Sequence, residues 1–192
     1  NYTFILFCFI TISLFLKISV DLKLEWDGLN HWLPKALLFY NGESISNIKN
    51  LGFTEYPHLG TYIWAMFWKN SFLQYEYFGR LIYIFFYTSS LFCVFESFFE
   101  KNLFVKGIFI FFITILTYDI FLFSGYQEYL LFSSLVVLSK YFYSIYSENS
   151  KANNNLYNYL IPILIFQPIM WFKDEGIFYY LIILICFIFF SK

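Results

Sequence analysis

Residues 3–20 read TFILFCFITISLFLKISV, a long apolar run whose single charge is Lys17. A hydrocarbon core about 30 Å thick is crossed by roughly 20 residues of helix, the conformation that satisfies its own backbone polar groups inside the segment. The aliphatic stem of Lys17 is long enough to carry its ammonium to an interface. The basic leader and small-residue cleavage site of a secretory signal peptide are both missing, so the run reads as a span or signal-anchor.

Working outward, the same pattern recurs at 80–99, 103–123, 126–146, 157–172 and 177–190, with polar breaks at 100–102 and 147–155. The expected architecture is all-α: a polytopic integral membrane protein with about six transmembrane helices. Pro162 and Pro168 fall inside the fifth run, where neighbouring helices tolerate a kink by satisfying the freed carbonyls. A composition of 60% hydrophobic and 13% charged residues fits this class and not a soluble domain. With no initiator methionine and an end at Lys192 directly behind an apolar run, residues 1–192 read as a single transmembrane domain, the N-terminal part of a longer one.

Several function classes drop out early. A net charge of −1 offers no basic patch for nucleic acid. Cys8, Cys93 and Cys186 lie in separate apolar runs without metal or redox spacing, and no glycine-rich phosphate loop or internal repeat is present. No cofactor or metal is expected. The 29 phenylalanines and 18 tyrosines follow a bias toward A/T-rich codons better than they follow a ligand cage.

The segment 21–78 is different. It holds Asp21, Glu25, Asp27, His31, Lys35, Glu43, Glu55, His58 and Glu76, with four of the five tryptophans. Tryptophan favours the membrane–water boundary, so this segment reads as a large amphipathic first loop on the bilayer surface. Asp27 suits the N-cap of a helix running through Tyr40 to Asn41-Gly42, which places Asp27, His31 and Lys35 on one face. Pro34 either kinks that helix or begins a second one. Residues 61–69, with Trp64 and Trp68 one turn apart, read as another interfacial helix.

If the spans alternate, the tips at 124–128 and 173–176 return to the side of the first loop. The opposite loops carry Lys101, Lys106, Lys140, Lys151 and Lys192 against Glu96, Glu100 and Glu148, which favours the cytoplasm for them and an extracytoplasmic face for the acidic tips. Carboxylates beside cations just outside a membrane suit transfer from a lipid-linked donor: one carboxylate takes the acceptor proton while a cation neutralises the departing phosphate.

The run from Trp26-Asp27-Gly28 through His31 to Pro34-Lys35-Ala36, then Tyr56-Pro57-His58-Leu59, then Glu76 and Arg80, resembles the N-terminal half of membrane-embedded GT-C glycosyltransferases, such as protein mannosyltransferases and lipid A aminoarabinose transferases. Gly125-Tyr126-Gln127-Glu128 is similar to their Tyr-x-Asp pattern, and Lys173-Asp174-Glu175-Gly176 to their Lys-x-Glu-Gly turn. His58 stands where the family often has a second proline, and Glu128 where it has aspartate. The resemblance implies a polyprenyl-phosphate sugar donor, a glycan, lipid or protein acceptor, and a location in a bacterial inner membrane with the active site extracytoplasmic. It also implies Asp27 as catalytic base, and His31, Lys35, Arg80, Glu128, Lys173 and Glu175 as substrate-binding residues.

Plainer roles stand beside these. Asp27 suits a helix cap, and the two histidines suit interfacial hydrogen bonding. Glu76 and Arg80 suit a local ion pair, and Lys173 to Glu175 a solvated turn. Asp119, near a span end, is kept out of the site. At the level of the whole protein, a transporter or flippase would use the same acidic tips as a pathway, although charges within the spans are few. A structural or assembly subunit would depend on no single carboxylate.

Overall fold

The computed structural model describes residues 2–52, 54–98, 103–117, 124–148 and 157–190. The break at 100–102, residues 149–155 of the second break, the 118–123 end of the third run with Asp119, and Lys101, Lys151 and Lys192 lie outside them. The described chain is helical, without a strand among the described residues. Its helices are α1 (Tyr2–Asp21), α2 (Leu33–Tyr40), α3 (Leu59–Asn70), α4 (Glu76–Phe98), α5 (Leu103–Thr117), α6 (Glu128–Glu148), α7 (Tyr157–Phe166) and α8 (Glu175–Phe190).

Two of these segments, Tyr2–Asp21 and Glu76–Phe95, are long and apolar enough to cross a membrane. Phe104–Leu116, Pro162–Trp171 and Glu175–Cys186 are apolar but shorter. Helix α4 is the central post, packed by α1, α3, α5 and α6. Tyr83, Ile84, Tyr87 and Thr88 on it are fully buried. Helix α1 turns Ile10, Leu14 and Ile18 inward at a spacing of one turn, and Thr11 hydrogen-bonds Thr88 across the α1–α4 seam at 3.1 Å. Its other face leaves Phe4, Ile5, Phe9, Ile12 and Leu16 more than half exposed, and α5 and α8 present similar faces through Phe111, Phe112, Phe178 and Ile182. Exposed apolar area continuous over several helices is what a hydrocarbon solvent accepts and water does not.

Two local expectations change. The backbone is already helical at Asp27 (φ −65°, ψ −41°), and its side chain makes no capping hydrogen bond. Asp27 is therefore not an N-cap. A π-helical turn, Gly28–Trp32, follows it and runs without a break into α2, with Pro34 just past the junction, where its missing N–H leaves a carbonyl of the preceding turn without a helical donor. Helix α2 ends at Tyr40 as expected, with Gly42 at φ +79°, a conformation that favours glycine. Residues 61–69 form most of α3, but Trp64 is fully buried against Gly79 and Tyr83, so it is a core residue and not an interfacial anchor. Trp68 remains near the rim, stacked on Tyr40 at 4.3 Å.

Glycines let the polar loops close on one another. A Cβ on Gly28 would lie 2.2 Å from the Ser124 carbonyl oxygen, and Gly125 holds φ +100° with its Cα beside Gly28. The Glu25 N–H donates to the same Ser124 oxygen at 3.2 Å. A Gly28→Ala substitution forces these two backbones apart. It is expected to destabilise the protein by about 1–3 kcal/mol, read as a lower unfolding midpoint in detergent. An unchanged midpoint would show that the contact is dispensable.

Candidate functional site

Three polar segments meet at one end of the bundle. From the first loop, Asp27 and His31 approach to 3.7 Å between Oδ1 and Nε2, with Asp27 half-buried and His31 buried. One turn on, Lys35 is wholly enclosed: its Nζ donates to the Tyr56 carbonyl at 3.2 Å and lies 5.6 Å from the ring centres of both Trp32 and Tyr56. The same Tyr56 ring is 5.9 Å from His31, so the Tyr56-Pro57-His58 turn covers the face that carries both side chains.

Burial pulls the Lys35 ammonium down to about 8, against the opposing influence of Glu55 and Asp174. His58 is lowered as well, by burial first and then by the Lys35 charge. Folded Lys35 releases its proton near pH 8, and the unfolded chain does so near pH 10.5. The unfolded state therefore binds more protons between those values. Stability rises with pH there, at most by about 1.4 kcal/mol per unit. Wild type is expected to gain on Lys35→Met across that window in parallel denaturation series, and parallel curves would refute the buried-cation account.

The second tip supplies Tyr126, Gln127 and Glu128. Gln127 is fully buried; its amide and the Tyr83 hydroxyl lie within hydrogen-bond reach at 3.0–3.3 Å, and that hydroxyl also reaches the Gly60 carbonyl at 3.3 Å. Gly60 is glycine because a Cβ there would overlap the Gln127 side chain. This knot joins α3, α4 and the start of α6, and so places Glu128. Burial raises the Tyr126 phenol, and the charges of Asp27, Glu128 and Glu25 raise it further. Tyr126 thus lies within the electrostatic reach of both groups of carboxylates.

The third tip adds Lys173, which forms an ion pair with Glu128 and a looser one with Glu175 at 3.6 Å. Burial lowers Lys173, but the hydrogen bond and charge of Glu128, aided by Glu175, outweigh it and hold the ammonium above its ordinary range. The turn Gln167–Trp171 before it touches α3, and Gly176 fits under the Ile169 carbonyl, where a Cβ would come to 2.1 Å.

Arg80 is apart from this group. It is 1% exposed and grips Glu76 through Nε at 2.8 Å and through a second nitrogen at 2.9 Å. It also donates to the Leu22 and Lys23 carbonyls at 3.3 Å, closing the end of α1. Among the sequence-selected residues, the structure thus joins Asp27 with His31 and Glu128 with Lys173 and Glu175, encloses Lys35 beneath Tyr56, and fixes Arg80 to the scaffold.

Tyr126, Asp174 and the Trp32–Tyr56 pair bear on the site without having been selected. Their signal in the sequence is that each lies inside one of the short motifs that carry the family resemblance. Among the described residues no group of three His, Cys, Asp or Glu side chains is placed to hold a metal ion. Comparisons with protein-family models, with curated proteins and with solved structures found no match to this chain.

Proposed function

We propose that the protein is a GT-C-like glycosyltransferase that crosses a bacterial plasma membrane about six times and moves a sugar from a polyprenyl-phosphate donor to an acceptor at the extracytoplasmic face. The observation that supports it best is the meeting of the three polar tips. A half-buried carboxylate paired with a histidine lies at the same end of the bundle as a lysine held between two carboxylates.

In this reading Asp27 accepts the proton of the acceptor hydroxyl or amine as that atom bonds to the anomeric carbon. The bond from that carbon to the phosphate oxygen breaks, and its electron pair leaves with the lipid phosphate. Attack from the opposite side inverts the anomeric centre. His31 orients Asp27, and Lys173 neutralises the leaving phosphate. Glu128 and Glu175 hold Lys173 and shape the space for sugar or acceptor. Lys35 adds a buried positive charge beneath the site and holds the Tyr56 turn, while Arg80 serves the scaffold.

The test supplies the full-length protein in membranes with a panel of polyprenyl-phosphate sugars and follows loss of sugar from the lipid. Consumption of one donor, with phosphorylated lipid as co-product, supports the transferase. No consumption across the panel would overturn it and favour the transporter or flippase. Loss of activity spread evenly over many carboxylate variants would favour a structural subunit.

A further inference from the structure

The connection between α3 and α4, Ser71-Phe72-Leu73-Gln74-Tyr75, carries no charge between Lys69 and Glu76. Its apolar side chains lie outside the core: Phe72 is 98% exposed, and Leu73 and Tyr75 are about half exposed. A single exposed apolar residue is ordinary on any surface, but three within one short turn form a patch that calls for a partner.

The turn is fastened rather than slack. Gln74 sits at φ +51°, the left-handed region that strains a residue with a side chain. Hydrogen bonds hold it there. The Trp68 indole N–H donates to the Gln74 carbonyl at 2.7 Å, and the Tyr40 hydroxyl donates to the Gln74 side-chain oxygen at 3.3 Å. The Ser71 and Gln74 N–H groups donate to the Trp68 and Ser71 carbonyls at 3.2 and 3.3 Å. The chain is thus locked with Phe72 and Leu73 facing outward, under a backbone strain that these bonds maintain.

Position identifies the partner. Helices α1 and α4 run antiparallel: Thr11 meets Thr88, and Arg80 holds the carbonyls of Leu22 and Lys23, so the end of α1 and the start of α4 are level. Helix α1 is long and apolar enough to cross a membrane, and its outward strip ends at the exposed Val20. The hydrocarbon edge then falls near the start of α4. Beyond it lies a headgroup layer of roughly 5–7 Å, into which the turn before Glu76 projects. The rings of Tyr75, Tyr77 and Phe78 stack on one another, and Tyr77 and Phe78 lie 6.3 and 5.8 Å from Phe15 of α1. One apolar surface therefore continues from α1 onto the turn, and this continuity selects lipid over a partner protein. We infer that the Phe72–Leu73 turn is a wedge in the headgroup layer of the leaflet on the candidate-site side, packed against glycerol backbones and the first acyl carbons of phospholipids. The wedge rests on the membrane reading and is independent of glycosyl transfer.

The test uses full-length protein in lipid nanodiscs, with its cysteines, Cys8, Cys93 and Cys186 among them, replaced by serine. An environment-sensitive dye is attached to Phe72→Cys, to Ile12→Cys on the outward face of α1, or to Lys49→Cys on the exposed first loop. A phospholipid carrying a nitroxide near its glycerol should remove most of the emission at position 72, and aqueous iodide should remove little. Position 49 should respond in the opposite way. Iodide quenching at position 72 equal to that at 49, or protection there from both quenchers as under a second copy or a partner protein, would overturn the wedge. Nitroxide quenching at position 12 alone would leave the membrane reading intact, and none at either position would overturn both. Should the cysteine-free background not fold, wild type in vesicles of a phospholipid with a diazirine near its glycerol decides. Cross-links on Phe72 to Tyr75 support the wedge, and cross-links on α1 without any there refute it.

Discussion

Asp27→Asn is expected to lower donor consumption by about 10²–10⁴-fold at matched expression, the usual contribution of a positioned general base. Asparagine keeps the size and the helical backbone of this position but accepts no proton. The side chain makes no capping hydrogen bond, so a loss of activity would not be explained by a lost cap. Its contact with His31, at 3.7 Å, is the interaction most directly altered. The informative comparison is donor binding against turnover: retained binding with lost turnover identifies a base, whereas equal loss of both points to a structural carboxylate. Undiminished turnover would remove Asp27 from the chemistry altogether.

The second large effect belongs to Arg80. Its guanidinium is 1% exposed and holds one carboxylate and two backbone carbonyls. Arg80→Ala would leave Glu76 with an unpaired, largely desolvated charge, and removing one partner of such a pair costs about 3–5 kcal/mol. The expected result is a sharply lower unfolding midpoint in detergent, with donor affinity per folded molecule unchanged. A variant as stable as wild type that has lost donor binding would instead make Arg80 a phosphate ligand. Glu76→Gln should cost less, since its one amide oxygen still accepts from the guanidinium and the two backbone carbonyls still hold Arg80, although the charge and the second acceptor are lost.

Features with a local cause were legible in the sequence. Apolar runs declare helices because a backbone in hydrocarbon has to bond to itself. The end of α2 follows from Asn41-Gly42, where glycine takes the left-handed conformation that a helix terminus uses. The approach of Asp27 to His31 four residues on follows from helical spacing. What escaped the sequence arises at a distance. Trp64 and Trp68 have the same spacing pattern, yet a cleft between Gly79 and Tyr83 buries the first and leaves the second at the rim. The pairing of Glu128 with Lys173 spans 45 residues, and Arg80 reaches carbonyls 57 and 58 residues away. No local pattern encodes such partners.

The wide turn at Gly28–Trp32 has a consequence for how this segment tolerates length change. A π-helical turn holds one residue more than an α-helical turn of the same rise, and regular α-helix advances about 100° per residue. Removing one residue between Gly28 and Trp32 would let the turn relax to ordinary α-helix without disturbing α2 beyond Pro34. Upstream, Asp27 and the Gly28 backbone that packs against Ser124 and Gly125 would keep their angle to Lys35, since only the surplus residue is gone. The turn thus behaves as slack in the chain: it takes up one residue of length without changing the angle between the carboxylate before it and the lysine behind it.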